Sequence, residues 1–211
     1  MMAESTAGNP AQKEGLWSMV RLGLVLTAYA VVSCAVLALV NTFTAPKIAM
    51  NQQQKVSEAM TEFFPDSALV FETVTDYTPQ VVGAITVDEI YVAKKDGRIV
   101  GGAAQVTGPT YDQGTILVGI GTDGIVTGLK FLKLTDSPGF GLKASDPTFT
   151  LPGGMTFYGQ FAGKSAKEGF TAGENFDAIS GATITSVAVS SLINEGAKNL
   201  LAYFSEKQEA Q

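Results

Sequence analysis

Apolar and polar positions follow three different patterns along this chain. From Leu22 to Val40 there is no period: "LGLVLTAYAVVSCAVLALV" is nineteen residues without a charge. As a helix with 1.5 Å rise per residue it spans roughly 28 Å, close to the hydrocarbon core of a bilayer. Trp17 and Arg21 precede it and suit a membrane interface. A cleaved signal peptide has a shorter apolar region and fewer residues ahead of it. A lipoprotein cysteine at Cys34 is opposed by "AVLALV", which carries the apolar run further. The pattern predicts an uncleaved membrane anchor over residues 16–45. A polar tail, 1–15, precedes it and is expected to be disordered.

A 3.6-residue period follows. In "PKIAMNQQQKVSEAMTEFF" (46–64), Ile48, Val56, Met60 and Phe63 share one face, and Pro46 suits a first helical turn. "FPDS" stops this juxtamembrane helix, bounded as 46–66, which is expected to pack on its own domain. The middle of the chain has period two. "DEIYVAKKDGRIVGGAAQV" (88–106) reads as strand, Asp-Gly turn, strand, and "GTILVGIGTDGIVTGLKFLKL" (114–134) repeats the pattern. Ile125, Leu129 and Phe131 alternate as in a half-buried antiparallel strand. "DSPGFGLK" (136–143) and "LPGG" (151–154) are loops, and 155–165 holds one short helix. From Thr183 to Phe204 the helical period returns, with Val189, Ile193, Ala197, Leu200, Leu201 and Phe204 as its apolar stripe. The fold class is α+β: one N-terminal transmembrane helix, then a domain (67–211) with an antiparallel sheet and flanking helices.

Composition narrows the function classes. Charged residues are 16 % of the chain, and the apolar run accounts for this low value. The net charge is −6 and falls entirely beyond that run, which argues against nucleic acid. Lys13 and Arg21 before the span balance Lys47 and Lys55 after it, so positive charge does not orient the anchor. Cys34 is the only cysteine, and there is no histidine. A cysteine-ligated iron–sulfur centre, a Ser-His-Asp triad and histidine ligation of zinc or haem are thereby excluded for this chain, and the downstream domain suits an oxidising compartment. No metal site is expected. "GIGTDG" (119–124) matches a dinucleotide fingerprint, but a strand-like segment follows the glycines where a helix is needed, so a hairpin turn is expected. "GQFAGKS" (159–165) lacks the P-loop spacing. The carboxylates are spread as on a solvated surface.

"DAISGATITS" (177–186) holds four hydroxyls, Ser180, Thr183, Thr185 and Ser186, at a predicted helix start and with no base beside them. Capping explains one or two of them. Small residues, Ser180, Gly181 and Ala182, also let a ligand approach the backbone, and a helix N-terminus attracts phosphate.

This stretch resembles the flavinylation motif of a family of membrane-anchored FMN-binding proteins, roughly Ser/Thr-Gly-Ala-Thr/Ser-x-Thr/Ser. The family comprises the G subunits of Rnf-type electron-transport complexes and the C subunits of the sodium-pumping NADH:quinone reductase. "TDSPGFG" (135–141) is similar to the family's Glu-Thr-Pro-Gly-Leu-Gly loop: Pro138, Gly139 and Gly141 match, while Asp136, Ser137 and Phe140 replace Glu, Thr and Leu. "GQFAGK" (159–164) resembles its Gln-Phe-x-Gly-Lys element, and 108–129 its glycine-tyrosine hairpin. The resemblance implies FMN joined through its phosphate to Thr185, with Thr183 and Ser186 as runner-up acceptors and Ser180 and Thr183 free to cap the helix. Ser180, Gly181, Ala182, Thr183, Pro138, Gly139 and Gly141 would line the cofactor, and Lys164 would be a surface lysine or face the phosphate or a partner subunit. It further implies maturation by a separate flavin transferase using magnesium and FAD, which would make a base in this chain unnecessary. The protein would be an electron-relay subunit of a bacterial cytoplasmic-membrane complex, partnered by other Rnf-type subunits. Its C-terminal domain would lie outside and its short tail inside. The complex would exchange electrons between ferredoxin and NAD while moving Na⁺ or H⁺. The C subunit of the quinone reductase, a flavin domain of another exported reductase, and a non-redox anchored domain are the alternatives.

Overall fold

The computed structural model describes residues 10–209; of the tail expected to be disordered over 1–15, residues 1–9 lie outside them, while 10–15 are already helical as the start of a helix that continues into the apolar run. The chain divides into two compact units between Asn51 and Gln52. The first is helical. Helix α1 (Pro10–Phe63) is long and apolar enough to cross a membrane, and its side chains from Leu22 to Val40 are exposed, as on a helix solvated by lipid. The pattern predicts a new helix at Pro46, but α1 runs through it. Pro46 has no N–H to give the carbonyl of Thr42, so it removes one bond of the ladder without ending the helix. Thr42 and Thr44 turn their hydroxyls onto the carbonyls of Ala38 and Val40, both at 2.9 Å, so both side chains are paired within the helix.

The second unit begins with the last turns of α1 and is built on a six-stranded antiparallel sheet. Its strands are β1 (Val70–Thr73), β2 (Gln80–Val82), β3 (Ile85–Lys95), β4 (Arg98–Gly108), β5 (Gly114–Gly121) and β6 (Val126–Leu134), in the order β1-β3-β4-β5-β6 with β2 also paired to β3. Both predicted hairpins are present. Asp96 and Gly97 turn β3 into β4 with positive φ at both residues, the backbone that the twist of a two-residue hairpin demands. In "GIGTDG" the glycines turn β5 into β6, and the Gly124 N–H donates to the Gly121 carbonyl at 2.9 Å. The half-burial expected of Ile125, Leu129 and Phe131 is present, with Leu129 buried and the other two partly so, while β5 beside them is buried almost throughout.

One face of the sheet receives helix α2 (Thr183–Glu209), whose Val189, Leu192, Ile193, Ala197, Leu200 and Phe204 pack on Ile90, Ala104, Val106, Ile116, Val118 and Ile120. Gly196 brings that helix close, since a methyl there would lie 2.8 Å from Val106. The other face receives the end of α1. Val56, Ala59, Met60, Phe63 and Phe64 bury against Ala93, Ala103, Leu117 and Leu132. Phe63 enters a notch made by two glycines, Gly119 and Gly128, that lie opposite each other on β5 and β6. A methyl on either would come within 2.5 Å or 2.2 Å of the Phe63 ring. Sheet-covering helices on both faces explain why the middle strands read as nearly continuous apolar runs.

Between β6 and α2 the chain forms short turns and 3₁₀ pieces (Gly141–Ser145 and Gly159–Phe161) whose apolar side chains join the core between the sheet and α2. Phe157, Phe161, Phe170 and Phe176 are buried and meet mostly edge-on, with centroids 5.1–6.3 Å apart. This cluster makes a rigid base under the segment that leads into α2.

Candidate functional site

The motif segment is held from below by "GQFAGK". Gln160 is buried and clamps Asp177 on both sides: its amide donates to the Asp177 carbonyl at 3.0 Å, and its oxygen accepts the Asp177 N–H at 2.8 Å. Phe161 sits in the aromatic cluster, and Lys164 donates to the carbonyl of Asn175. Both polar ends of this element therefore support the loop, so Lys164 is neither a plain surface lysine nor turned toward the motif's hydroxyls.

Two β-turns frame the site. In 179–182 the Ala182 N–H donates to the Ile179 carbonyl at 2.9 Å, and Gly181 takes φ +80. In 137–140 the Phe140 N–H donates to the Ser137 carbonyl at 3.3 Å, Pro138 fills the second position and Gly139 takes φ +78. Proline followed by a positive-φ glycine is the signature of a type II turn. The turns face each other, with Phe140 3.5 Å from where a Gly181 side chain would begin. Ser180, Gly181, Thr183, Pro138 and Gly139 are exposed, whereas Ala182, Thr185, Ser186 and Gly141 are buried.

The four hydroxyls separate into distinct roles. Ser186 accepts the Ile179 N–H and donates to the Ala182 carbonyl, both at 3.0 Å, tying the turn onto the first turn of α2. Side chains in a helix lean toward its N-terminus, so Ser186 reaches back to the place that Ser180 and Thr183 are predicted to cap. Among the described residues neither of those two makes a cap bond, and no side chain accepts from the first N–H groups of α2. Thr185 is the fourth. It is 1 % exposed, and its hydroxyl donates to Asp136 Oδ2 at 2.5 Å.

Asp136 corrects the expectation that the carboxylates form a solvated surface and that the motif has no base beside it. It is 2 % exposed. Its Oδ1 accepts from the Thr110 hydroxyl at 2.5 Å and the Asp112 N–H at 2.9 Å; its Oδ2 accepts from Thr185 and, at 3.3 Å, from the Tyr111 N–H. Burial pushes its pKa up, but the bonds from Thr110, Thr185 and the two backbone N–H groups outweigh burial and hold it below the ordinary carboxylate value. The signal in the sequence is positional: Asp136 stands where the resembling loop carries Glu. Thr110, 26 residues earlier, gives no signal.

Gly141 covers this pair. A methyl there would lie 2.5 Å from Asp136 Oδ2 and 2.6 Å from Thr185 Oγ1. Gly141→Ala should therefore break the Thr185–Asp136 bond and destabilise the chain by about 1–3 kcal/mol through overpacking. Thermal unfolding in detergent checks this, and an unchanged midpoint would mean the loop yields freely.

Comparison with known proteins places these features in a family. Residues 111–198 match the FMN-binding domain, and residues 12–63 match the RnfG N-terminal region. The chain is 33 % identical over 196 residues to the G subunit of the Na(+)-translocating ferredoxin:NAD(+) oxidoreductase complex of Acetobacterium woodii, covering 84 % of this chain and 90 % of that protein. It is 29 % identical to the G subunit of the ion-translocating oxidoreductase complex of Vibrio vulnificus, over 79 % and 82 % of the two chains. It is 28 % identical to the protein of the same name from Pseudomonas aeruginosa, over 91 % of each.

Proposed function

Because the chain belongs to the family of G subunits of ion-translocating oxidoreductase complexes, we propose that it is the covalent-FMN electron carrier of such a complex. Thr185 holds the flavin through a phosphodiester. The observation that carries this reading is the Thr185 hydroxyl, set in the first turn of a 27-residue helix and bonded to a buried carboxylate. The residues fit a flavin mononucleotide. The N–H groups at the start of α2, which no side chain caps among the described residues, suit a phosphate together with the positive end of the helix dipole. Tyr111, Phe140, Ile184 and Val187 are exposed apolar side chains on the segments that frame Thr185, and they suit a flat ring. Ser180, Gly181, Ala182 and Thr183 line the phosphate side, and Pro138, Gly139 and Gly141 form the facing turn.

Bound FMN would supply reversible electron transfer, and the chain's own part is to fix its position and surroundings. The electrons pass among other subunits of the complex, which exchanges them between ferredoxin and NAD while moving Na⁺ or H⁺. The uncharged span of α1 offers no ion path, so ion movement belongs to those subunits. α1 anchors the chain in a bacterial cytoplasmic membrane with the flavin domain outside, where a domain without thiols is at no redox disadvantage. Attachment is made by a separate flavin transferase from FAD with magnesium.

One observation favours a second acceptor: Thr183 is exposed where Thr185 is buried. Co-expression with a flavin transferase decides the main reading. The denatured chain should fluoresce as a flavoprotein in a gel and gain the mass of one FMN less water. A chain that never takes up flavin refutes the function.

A further inference from the structure

The Thr185 hydroxyl has one strong acceptor within reach, Asp136 Oδ2 at 2.5 Å. An aliphatic hydroxyl is a poor nucleophile until a base takes its proton, and the base must already stand within hydrogen-bond distance. The chain has no histidine to do this. Asp136 is also held fast. Three donors besides Thr185 bind its two oxygens, and two of them are backbone N–H groups that cannot turn away. Gly141 leaves the pair just enough room to touch.

We propose that Asp136 is the general base for loading the chain: it takes the Thr185 hydroxyl proton as that oxygen bonds to the phosphorus of an incoming flavin dinucleotide. This rests on the reading of Thr185 as the acceptor. A lone pair of Thr185 Oγ1 forms the new O–P bond. The bond from that phosphorus to the bridging oxygen breaks, and its electron pair leaves with AMP. The proton moves to Asp136 Oδ2, and nothing is oxidised or reduced. Asp136 is a weak base, but the hydroxyl proton becomes strongly acidic only as the O–P bond forms, so a weak base in place suffices. Protonation also removes a charge conflict. Asp136 becomes neutral as its neighbour becomes an anionic phosphodiester, so two full negative charges do not meet in a buried place.

The test is the rate of flavin attachment to the full chain in detergent with flavin transferase, FAD and magnesium, read by mass and by in-gel fluorescence. Asp136→Asn should load about 10²–10⁴-fold more slowly than wild type. From roughly pH 6 to 9 that deficit should shrink by about tenfold per pH unit, as hydroxide replaces the missing base. Asp136→Glu, which keeps the carboxylate, should restore loading to within about tenfold of wild type. A residue that only shapes the loop would lower the rate without this pH slope. Thermal melting confirms that each variant is folded, and Asp136→Ser, smaller and without a basic oxygen, replaces the Asn variant if that one is not. Wild-type loading by a folded Asn or Ser variant overturns the proposal and assigns the base to the transferase, while Thr185 stands as acceptor. Failure of the wild type to load at all overturns the reading of Thr185 instead.

Discussion

Thr185→Val, incubated with flavin transferase, FAD and magnesium, should carry no covalent flavin. Valine keeps the β-branched shape and the helical rotamer of threonine and replaces only the hydroxyl. The change is not silent for the fold, because Asp136 loses one of its four donors and stays buried. A buried acceptor left short of a partner costs about 1–3 kcal/mol, so the variant should melt lower while remaining folded. Two companions sharpen the result. Thr185→Ser keeps an oxygen at the same place and should load. Thr183→Val removes an exposed hydroxyl that bonds to nothing in the motif and should still carry covalent flavin, because the oxygen at position 185 is intact. Flavin retained on Thr185→Val and lost from Thr183→Val would move the attachment point to the earlier threonine and separate it from Asp136.

The largest expected effect on stability lies on the opposite face of the sheet. Phe63→Ala should destabilise the second unit by about 3–5 kcal/mol, the cost of removing a buried aromatic ring and leaving its cavity. The cavity has fixed walls, because Gly119 and Gly128 are paired strand positions and cannot collapse into it without breaking the ladder. The reciprocal change gives a distinct signature. Gly128→Ala alone sets a methyl 2.2 Å from the Phe63 ring and forces the helix end off the sheet, which overpacking puts at about 1–3 kcal/mol or more. Together the two changes should cost clearly less than their sum, since the methyl added at position 128 then fills space that the ring has left. Denaturant unfolding of the full chain in detergent, compared across the four proteins of this cycle, measures the coupling. Additive losses would show that the ring and the notch do not share that space.

The parts of the fold with a local signal were legible. The hairpins announce themselves through Asp96-Gly97 and "TDG", each between alternating segments, and α2 through an apolar stripe of which Val189, Ile193, Ala197, Leu200 and Phe204 are all buried. β1 and β2 were not legible. They are four and three residues long, and β2 is exposed throughout, so neither carries a burial pattern. Pro46 misled because a proline that suits a helix start is also tolerated mid-helix when only one bond is lost. The phenylalanines of the 3₁₀ region cluster at irregular spacings that no period detects.

At the site the legible part was chemical type. A row of hydroxyls before an apolar stripe marks a helix start, and the motif singles out one of them. What each hydroxyl does is set by contacts far along the chain. Thr185 meets Asp136 across 49 residues, and Gln160 grips Asp177 across 17. In sequence Asp136 shows only its position in the Pro-Gly loop and nothing of its burial, because its four donors come from separate segments, 110–112 and the start of α2.

The sheet's two margins, finally, govern how this domain behaves among its own copies. β6 has a strand on one side only, and its open side begins under cover: Val126 exchanges two hydrogen bonds with 163–164, at 2.9 and 2.8 Å. Further along stand Lys130, paired to Glu62, and the exposed Lys133. The opposite margin is formed by β1 and β2, four and three residues long, and β1 carries the Glu72–Lys94 ion pair. Short length, covering loop and charge are the means by which sheets resist strand addition. The margin at β3 is thus guarded mainly by the shortness of its strands, since Val70, Val81 and Val82 stand exposed there, and a second group of exposed apolar side chains, Tyr111, Phe140, Ile184 and Val187, lies on the segments around Thr185.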